Sequence, residues 1–294
     1  MFNNRSFNPL YVLWLPVVLL GLVITAIVGH GTAQASPNVT LVDTDKVILE
    51  KAMYTGQGIT TDGKYYYTSG SMTAVDMTGL AKWSADDFKL VKNRLGVIPK
   101  EYMEKYDSNH VGGISYYNGL IYASVENSSK DHPLVITYDC ETLEAVKVYE
   151  LPVEVLPNGI PWCAVDGKNG YLYCSPFRDV EKIAAFDLET MQFHHYIELS
   201  EEVTRIQGGE VYGDTLYLSS DNGENTDTIC CIDVSSGSGN GNVSVLCERT
   251  LPGLNGNEAE GLTVCPMPDG SLIHVIDYDR IVGIYIRHYA VEEK

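Results

Sequence analysis

The stretch His110–Glu126, reading HVGGISYYNGLIYASVE, decides the fold, because its pattern recurs five times along the chain. It enters on Gly112-Gly113-Ile114, runs as an apolar strand, turns at Asn118-Gly119 and returns as Leu120-Ile121-Tyr122. Asn and Gly tolerate positive φ, so between two β-prone runs they predict a tight hairpin. The first copy runs from Gln57-Gly58-Ile59 through Asp62-Gly63 to Tyr65-Tyr66-Tyr67. The third runs from Pro161-Trp162-Cys163 to Tyr171-Leu172-Tyr173, the fourth from Gly208-Gly209-Glu210 to Thr215-Leu216-Tyr217, and the fifth from Glu260-Gly261-Leu262 to Ser271-Leu272-Ile273. Residues 59, 114, 163, 210 and 262 mark equivalent places, at intervals of 55, 49, 47 and 52 residues. Periods of roughly 40 to 50 residues with several short strands each are the mark of a propeller blade.

A second hairpin follows in each copy. Ile136–Asp139 leads through Glu141-Thr142 to Val146–Val148, and Ala184–Asp187 leads through Glu189-Thr190 to His194–Tyr196; Cys230–Asp233 with Ser235, and Trp83 with Asp86-Asp87, are looser versions. An Asp at a strand end accepts hydrogen bonds from the amides of the turn it begins. The sequence therefore predicts an all-β chain, a five-bladed β-propeller of four-stranded blades, at about 54–98, 109–152, 158–200, 205–252 and 257–291. After 281–289 the chain stops one strand short, and a lone strand at 46–52, centred on Val47-Ile48-Leu49, precedes the first full copy. The two together predict a ring closed by the N-terminal strand, which leaves no exposed sheet edge. The 20 Tyr cluster on predicted strands, where an amphipathic ring suits a half-buried face. Pro99–Tyr106 reads as a short helix on a linker, and Ser235–Asn242 (SSGSGNGN) as a flexible loop.

Ahead of the repeats, residues 9–28 form an apolar run broken only by Pro16, Gly21 and Thr25, followed by Ala33-Gln34-Ala35. Its length suits a spanning helix and the A-x-A a signal peptidase, so residues 1–35 read as a signal peptide or membrane anchor. Either way, residues 36–294 are extracytoplasmic, secreted or tethered, and touch a membrane only through that segment. A formal charge of −19, from 39 acids against 20 bases, excludes a nucleic-acid partner, because phosphate binding needs clustered Lys and Arg. All seven Cys lie in the exported part. Cys231/Cys247 and Cys163/Cys174 are candidate disulfides across hairpins, with buried free thiols the other reading; no zinc-site spacing occurs.

Loops that enter the inner strands of a propeller gather at one end of its channel. The polar groups just ahead of each copy are therefore expected to converge there: Gln57, Asn109, His110, Asn158, Arg205, Gln207, Asn257, Glu258 and Glu260, with Trp162 and Glu210 at the strand starts. Glu258 and Glu260 are a pair in which one keeps its proton while the other ionises. With Asn257 and backbone carbonyls they could also take Ca²⁺, which prefers oxygen ligands. No metal cluster or resident cofactor is otherwise implied, and no nucleophile elbow, phosphate loop or dinucleotide fingerprint is present.

The entry phrases resemble those of exported propellers of the NHL and YVTN kind. More narrowly, they resemble the five-bladed glutaminyl-peptide cyclotransferases: Tyr54–Ile59 is similar to that family's Phe-Thr-Gln-Gly-Leu, Ile160–Cys163 to its Glu-Gly-Trp-Gly, and Gly208–Tyr212 to its Asn-Glu-Leu-Glu-Tyr. The family's carboxylates ahead of blades two and three are replaced here by His110–Gly113 and by Ile160-Pro161. Cyclisation of an N-terminal Gln would then rest on Glu258, Glu260 or Glu210, with Trp162 as a stacking wall and Gln207 and Asn158 as orienting groups. Three readings follow: binding of a small molecule, peptide or glycan at the channel mouth; a cyclotransferase-like enzyme; or a scaffold that holds a partner protein on its rim. Oligomeric state is left open.

Overall fold

A computed structural model of the chain describes residues 38–48, 55–221, 226–237, 239–251, 258–279 and 283–292. The strands fall into five separate sheets, each with four antiparallel strands, arranged as the blades of a propeller. Blade one is Gly58–Thr61, Tyr65–Met72, Met77–Ser84 and Leu90–Leu95; blade two is Ser108–Tyr117, Leu120–Asn127, Leu134–Asp139 and Ala145–Glu150. Blade three is Trp162–Asp166, Tyr171–Ser175, Val180–Asp187 and Phe193–Val203; blade four is Ile206–Tyr212, Thr215–Asp221, Thr226–Asp233 and Val243–Thr250. Blade five is Glu258–Val264, Ile273–Asp279 and Gly283–Val291, and its outermost strand, Val39–Ile48, comes from the other end of the chain and pairs antiparallel with Gly283–Val291. That strand starts well before the expected residue 46, and residues 49–54 lie outside the described part, as does the segment 1–35.

Local chemistry accounts for the strands. At the quoted hairpin, Asn118 and Gly119 both take positive φ (50° and 83°), the turn whose twist matches two paired strands, and Tyr117 pairs with Leu120. In the outer turns, Asp139 Oδ1 accepts from the amides of Glu141 and Thr142 at 3.1 and 2.7 Å, and Asp187 Oδ1 from that of Thr190 at 2.8 Å. Apolar residues that alternate along the strands fill five clusters, one in each seam between neighbouring blades. Tyr67, Leu80 and Ile121 belong to the first seam, and Ile59, Trp83 and Ile286 to the seam where blade five meets blade one. Each fully buried side chain of this size contributes about 1.5–3 kcal/mol. The short helix Lys100–Tyr106 lays Tyr102, Met103 and Tyr106 on the first seam.

One seam is polar. Between blades four and five the wholly buried Arg249 donates to Asp227 Oδ2, Asp277 Oδ1 and the Tyr289 hydroxyl, each at 2.9 Å, while Arg287 pairs with Asp277. Buried charge of this kind persists only when every partner is satisfied.

At the axis the entry glycines reveal their purpose. A Cβ on Gly112 would stand 2.2 Å from the Pro161 carbonyl oxygen, and one on Gly208 or Gly261 would meet the backbone of the next inner strand at 2.6–2.7 Å. The Gly113 amide donates to Pro161 O and the Gly261 amide to Gln57 O, both at 2.7 Å, so backbones touch directly and the channel narrows to a waist.

Two expectations are corrected. The Ser235–Asn242 loop is not merely a flexible connector: Gly239–Gly241 pairs in parallel with Ile197–Leu199 and adds a fifth strand to blade three. Cys231 lies opposite Ser244 and Cys247 opposite Ile229, so the register of this hairpin keeps the two cysteines apart. Cys163 and Cys174 are directly opposed, yet all seven cysteines are free thiols.

Candidate functional site

Six of the candidates line one cavity of about 330 Å³ at the end where the inner strands begin: Gln57, Asn109, His110, Gln207, Glu258 and Glu260. Bulges place them there. Irregularities in the ladder between Ser108 and His110, Ile206 and Gly208, and Ala259 and Leu262 break the simple alternation of faces and re-aim these side chains.

Three of them, from three blades, form a hydrogen-bonded chain. Gln57 Nε2 donates to Glu260 Oε1 at 3.2 Å, and His110 Nε2 lies 2.7 Å from Gln57 Oε1. An amide oxygen only accepts, so Nε2 carries the imidazole proton. Burial, with the charge of Lys130 adding to it, pushes His110 down to about 4, so at neutral pH the ring is uncharged and Nδ1 bears a lone pair. That atom is buried without a hydrogen-bond partner, 3.8 Å from Glu126 Oε2.

Glu260 is 3 % exposed. Burial first, then the charges of Glu258 and Asp221, hold its carboxyl well above the usual carboxylate range, and the Gln57 hydrogen bond and Arg205 offset this only in part. Its environment thus favours the protonated form of Glu260. Glu258 faces the Arg205 guanidinium at 3.7 Å, and Arg205, left-handed at φ 55°, is anchored by Asp221 and lies over the Phe177 ring at 5.1 Å. Arg205 therefore stands at the edge of the cavity.

Other candidates lie elsewhere. Trp162 is not a wall of the mouth: it is fully buried, its Nε1 donates to Ser175 Oγ at 3.0 Å, and its ring packs against Gly209 in the third seam. The missing Cβ of Gly209 leaves the space that the indole fills, and that of Gly113 lets the Trp162 backbone approach. Asn158 is exposed on its loop and does not line the cavity. Glu210 lies beyond the waist, where its Oε1 accepts from Ser115 at 2.8 Å and its Oε2 from Thr60 and Thr263 at 2.9 and 3.2 Å. Burial pushes it up to about 7 against those three hydroxyl donors. Asn257 is outside the described residues. Among the described residues no group of three or more His, Cys, Asp or Glu stands close enough to hold a metal.

No family model matches the sequence, and no curated protein does. Solved structures are similar at the level of fold. A bifunctional GH43-CE protein of Bacteroides eggerthii matches 85% of this chain with a TM-score of 0.55 at 15% identity. The match takes up 35% of that protein, so this chain spans about a third of its length. A luciferin-regenerating enzyme (11% identity, 80% of this chain and 76% of that one, TM-score 0.47) and a structural-genomics protein of unknown function from Bacteroides thetaiotaomicron (14%, 89% and 77%, 0.48) are more distant in shape. At these identities the likeness extends to the fold alone.

Residues that the sequence did not single out complete the cavity. Glu126, 4 % exposed, accepts from the Ile160 amide at 2.5 Å and faces His110. Lys130, Asn127, Ser128 and Phe177 close its side. A second cavity, of about 370 Å³, opens on the seam between blades five and one, lined by Asp43, Asp45, Asp86, Asp87 and Asp269. Beneath it, His288 bridges His274 (2.7 Å) and Asp45 (3.2 Å) and ties the strand Val39–Ile48 to blade five.

Proposed function

We propose that this protein is an extracytoplasmic β-propeller that binds a small molecule, peptide or glycan at the mouth of its channel. The observation that carries this reading is the chain Glu260–Gln57–His110, which spans three blades, lines a cavity of ligand size and ends on a buried His110 Nδ1 without a partner. A buried polar atom left unpaired costs about 1–3 kcal/mol, which a ligand donor at Nδ1 would recover. Proton-bearing Glu260 supplies a donor and Gln57 and Gln207 supply amides, a set that reads hydroxyls and carbonyls. The apolar run at residues 9–28 supports an extracytoplasmic location, and the antiparallel pairing of Val39–Ile48 with Gly283–Val291 supports its role as the clasp of the ring.

A binding screen of the full chain against glycan and peptide arrays tests the reading. Hits are expected to lose at least tenfold in affinity in both Gln57→Leu and His110→Phe; hits that keep full affinity in both would place the binding surface elsewhere, on the rim of a scaffold that holds a partner protein.

A second reading has its own support. A carboxyl that retains its proton, one amide away from an imidazole with a free lone pair, is a pairing of acid and base. On this reading the mouth turns over a Gln-initiated peptide as a glutaminyl-peptide cyclotransferase does, with Glu260 donating and Glu258 or His110 accepting the proton. Release of ammonia from such a peptide, lost in Glu260→Gln, is the expected result; no release by the unaltered protein would reject it.

A further inference from the structure

Among the described residues, the flank of the mouth holds two cations that form no ion pair. Lys130 and Arg178 each approach the Phe177 ring at 5.5 Å, Arg205 approaches it at 5.1 Å, and neither Lys130 nor Arg178 forms an ion pair among the described residues. The chain has 39 acids against 20 bases, so a lysine half-buried beside a cavity would ordinarily find a carboxylate.

The acids at hand are already committed. Glu258 faces Arg205, which holds Asp221, and Glu260 retains its proton. Glu126 lies beyond ion-pair distance of Lys130, and burial moves it toward its neutral form although Lys130 and the Ile160 amide pull it back. Lys130 is also held in place. Its backbone is left-handed at φ 57°, its amide donates to Asn127 O at 3.0 Å, and Asn127 Nδ2 fixes the same turn by donating to Asp131 Oδ1 at 2.7 Å and Tyr106 O at 2.9 Å. These bonds fix the turn, so the lysine is carried on a defined backbone beside the cavity.

We propose that the ligand of the mouth is a small carboxylic acid bearing hydroxyl or amide groups. Its carboxylate is held by the Lys130 ammonium, with Arg178 beside the face of Phe177, and its neutral part lies on the Gln57, His110 and Glu260 chain. This rests on the mouth-binding reading and narrows it to one ligand chemistry. Contact between a half-buried ammonium and a carboxylate is stronger than a surface pair, because the surrounding protein screens it less.

Matched acid and amide probes test it. Isothermal titration of the full chain at neutral pH would compare D-glucuronate with D-glucuronamide, and N-acetylglycine with N-acetylglycinamide, which separates a sugar acid from an acyl amino acid. In at least one pair the acid is expected to bind tenfold or more tightly than its amide. Lys130→Met is expected to erase that preference and leave the amide's affinity unchanged, while Lys130→Arg retains it. Equal affinity for acid and amide, a preference that survives Lys130→Met, or no binding by any acid would each overturn the carboxylate assignment. Binding of an amide that is lost in Gln57→Leu would show that the mouth still binds and that only the anionic chemistry was wrong.

Discussion

The two sides of the channel waist hold similar residues to opposite ends. Glu210 and Glu260 are both buried glutamates on inner strands, both pushed toward the protonated form by burial. Glu260 precedes the waist glycine Gly261 and looks into a cavity, with one amide, that of Gln57, as its hydrogen-bonding neighbour. Glu210 follows the waist glycines Gly208 and Gly209 and is surrounded by Thr60, Ser115 and Thr263 from three other blades. Two of those hydroxyls also accept backbone amides, Thr60 from Tyr116 at 2.8 Å and Ser115 from Val165 at 3.1 Å, so the network stitches blades one to five around the carboxyl. A fully satisfied polar network rigidifies, whereas a partly satisfied one is available for binding. The lesson is that burial and a raised pKa alone do not separate a structural carboxyl from a functional one; the number of committed donors and the presence of open space do.

The waist divides these two regions, and it is the first place to break the comparison. Gly112→Ala would drive a Cβ to within 2.2 Å of the Pro161 carbonyl, backbone against backbone. The expected loss is more than about 3 kcal/mol, at the upper end of overpacking costs, read as a large fall in thermal midpoint or as failure to fold. A stable Gly112→Ala protein with unchanged midpoint would mean that the waist is not closed as described.

Next in size is the pH dependence of Glu210. The folded chain holds this proton up to about 7 while an ordinary glutamate loses it near 4.5. Between those values the folded state binds more protons than the unfolded, so stability falls as pH rises, by about 3 kcal/mol across the window, with no slope from this group below or above it. Glu210→Gln is expected to remove that slope from a plot of unfolding free energy against pH, and a slope identical to that of the unaltered protein would refute the assignment. Glu260 contributes with the same sign, starting from the ordinary carboxylate value and extending upward. A mouth ligand should alter the Glu260 part and leave the Glu210 part untouched.

The smallest stability effect is expected at the mouth itself. Glu260→Gln keeps the shape and the contact with Gln57 and should move stability by less than about 1 kcal/mol at acidic pH, where both side chains are neutral, since neutral hydrogen bonds of this kind contribute about that much. Ligand affinity should nevertheless fall at least tenfold. If Glu260→Gln instead destabilised the acidic protein as much as the waist substitution does, the mouth carboxyl would be a second structural plug.

Part of this was legible in the chain. The hairpin phrase repeats with its own turn chemistry, and the polar groups ahead of Gly58, Gly208 and Gly261 could be named because every copy enters the ring the same way. Trp162 could not be placed, since an aromatic at a strand start looks the same whether it faces a mouth or fills the gap left by Gly209. Glu126 was missed for a more instructive reason. Counting outward from Tyr117 opposite Leu120 along an unbroken ladder sets His110 opposite Asn127, but the bulge between Val111 and Ile114 slips the register by one and brings Glu126 to face it. Arg249, fully buried beside Asp227 and Asp277, carried no signal in the sequence, because Asp227 meets it only through the strand register inside blade four and Asp277 only across the seam to blade five.

What the amino-acid order determined by itself is periodic and local: five hairpin phrases, the Asn118-Gly119 and Asp139 turns, and glycines where backbones must meet. These follow from rules of φ, alternation and turn hydrogen bonding that act over a few residues. Tertiary structure alone decided which carboxyl faces open space and which is enclosed by hydroxyls, and which lysine stands beside a cavity with no ion pair among the described residues. Burial, desolvation and charge pairing depend on neighbours far away in the chain, and a one-residue slip of a strand exchanges them all.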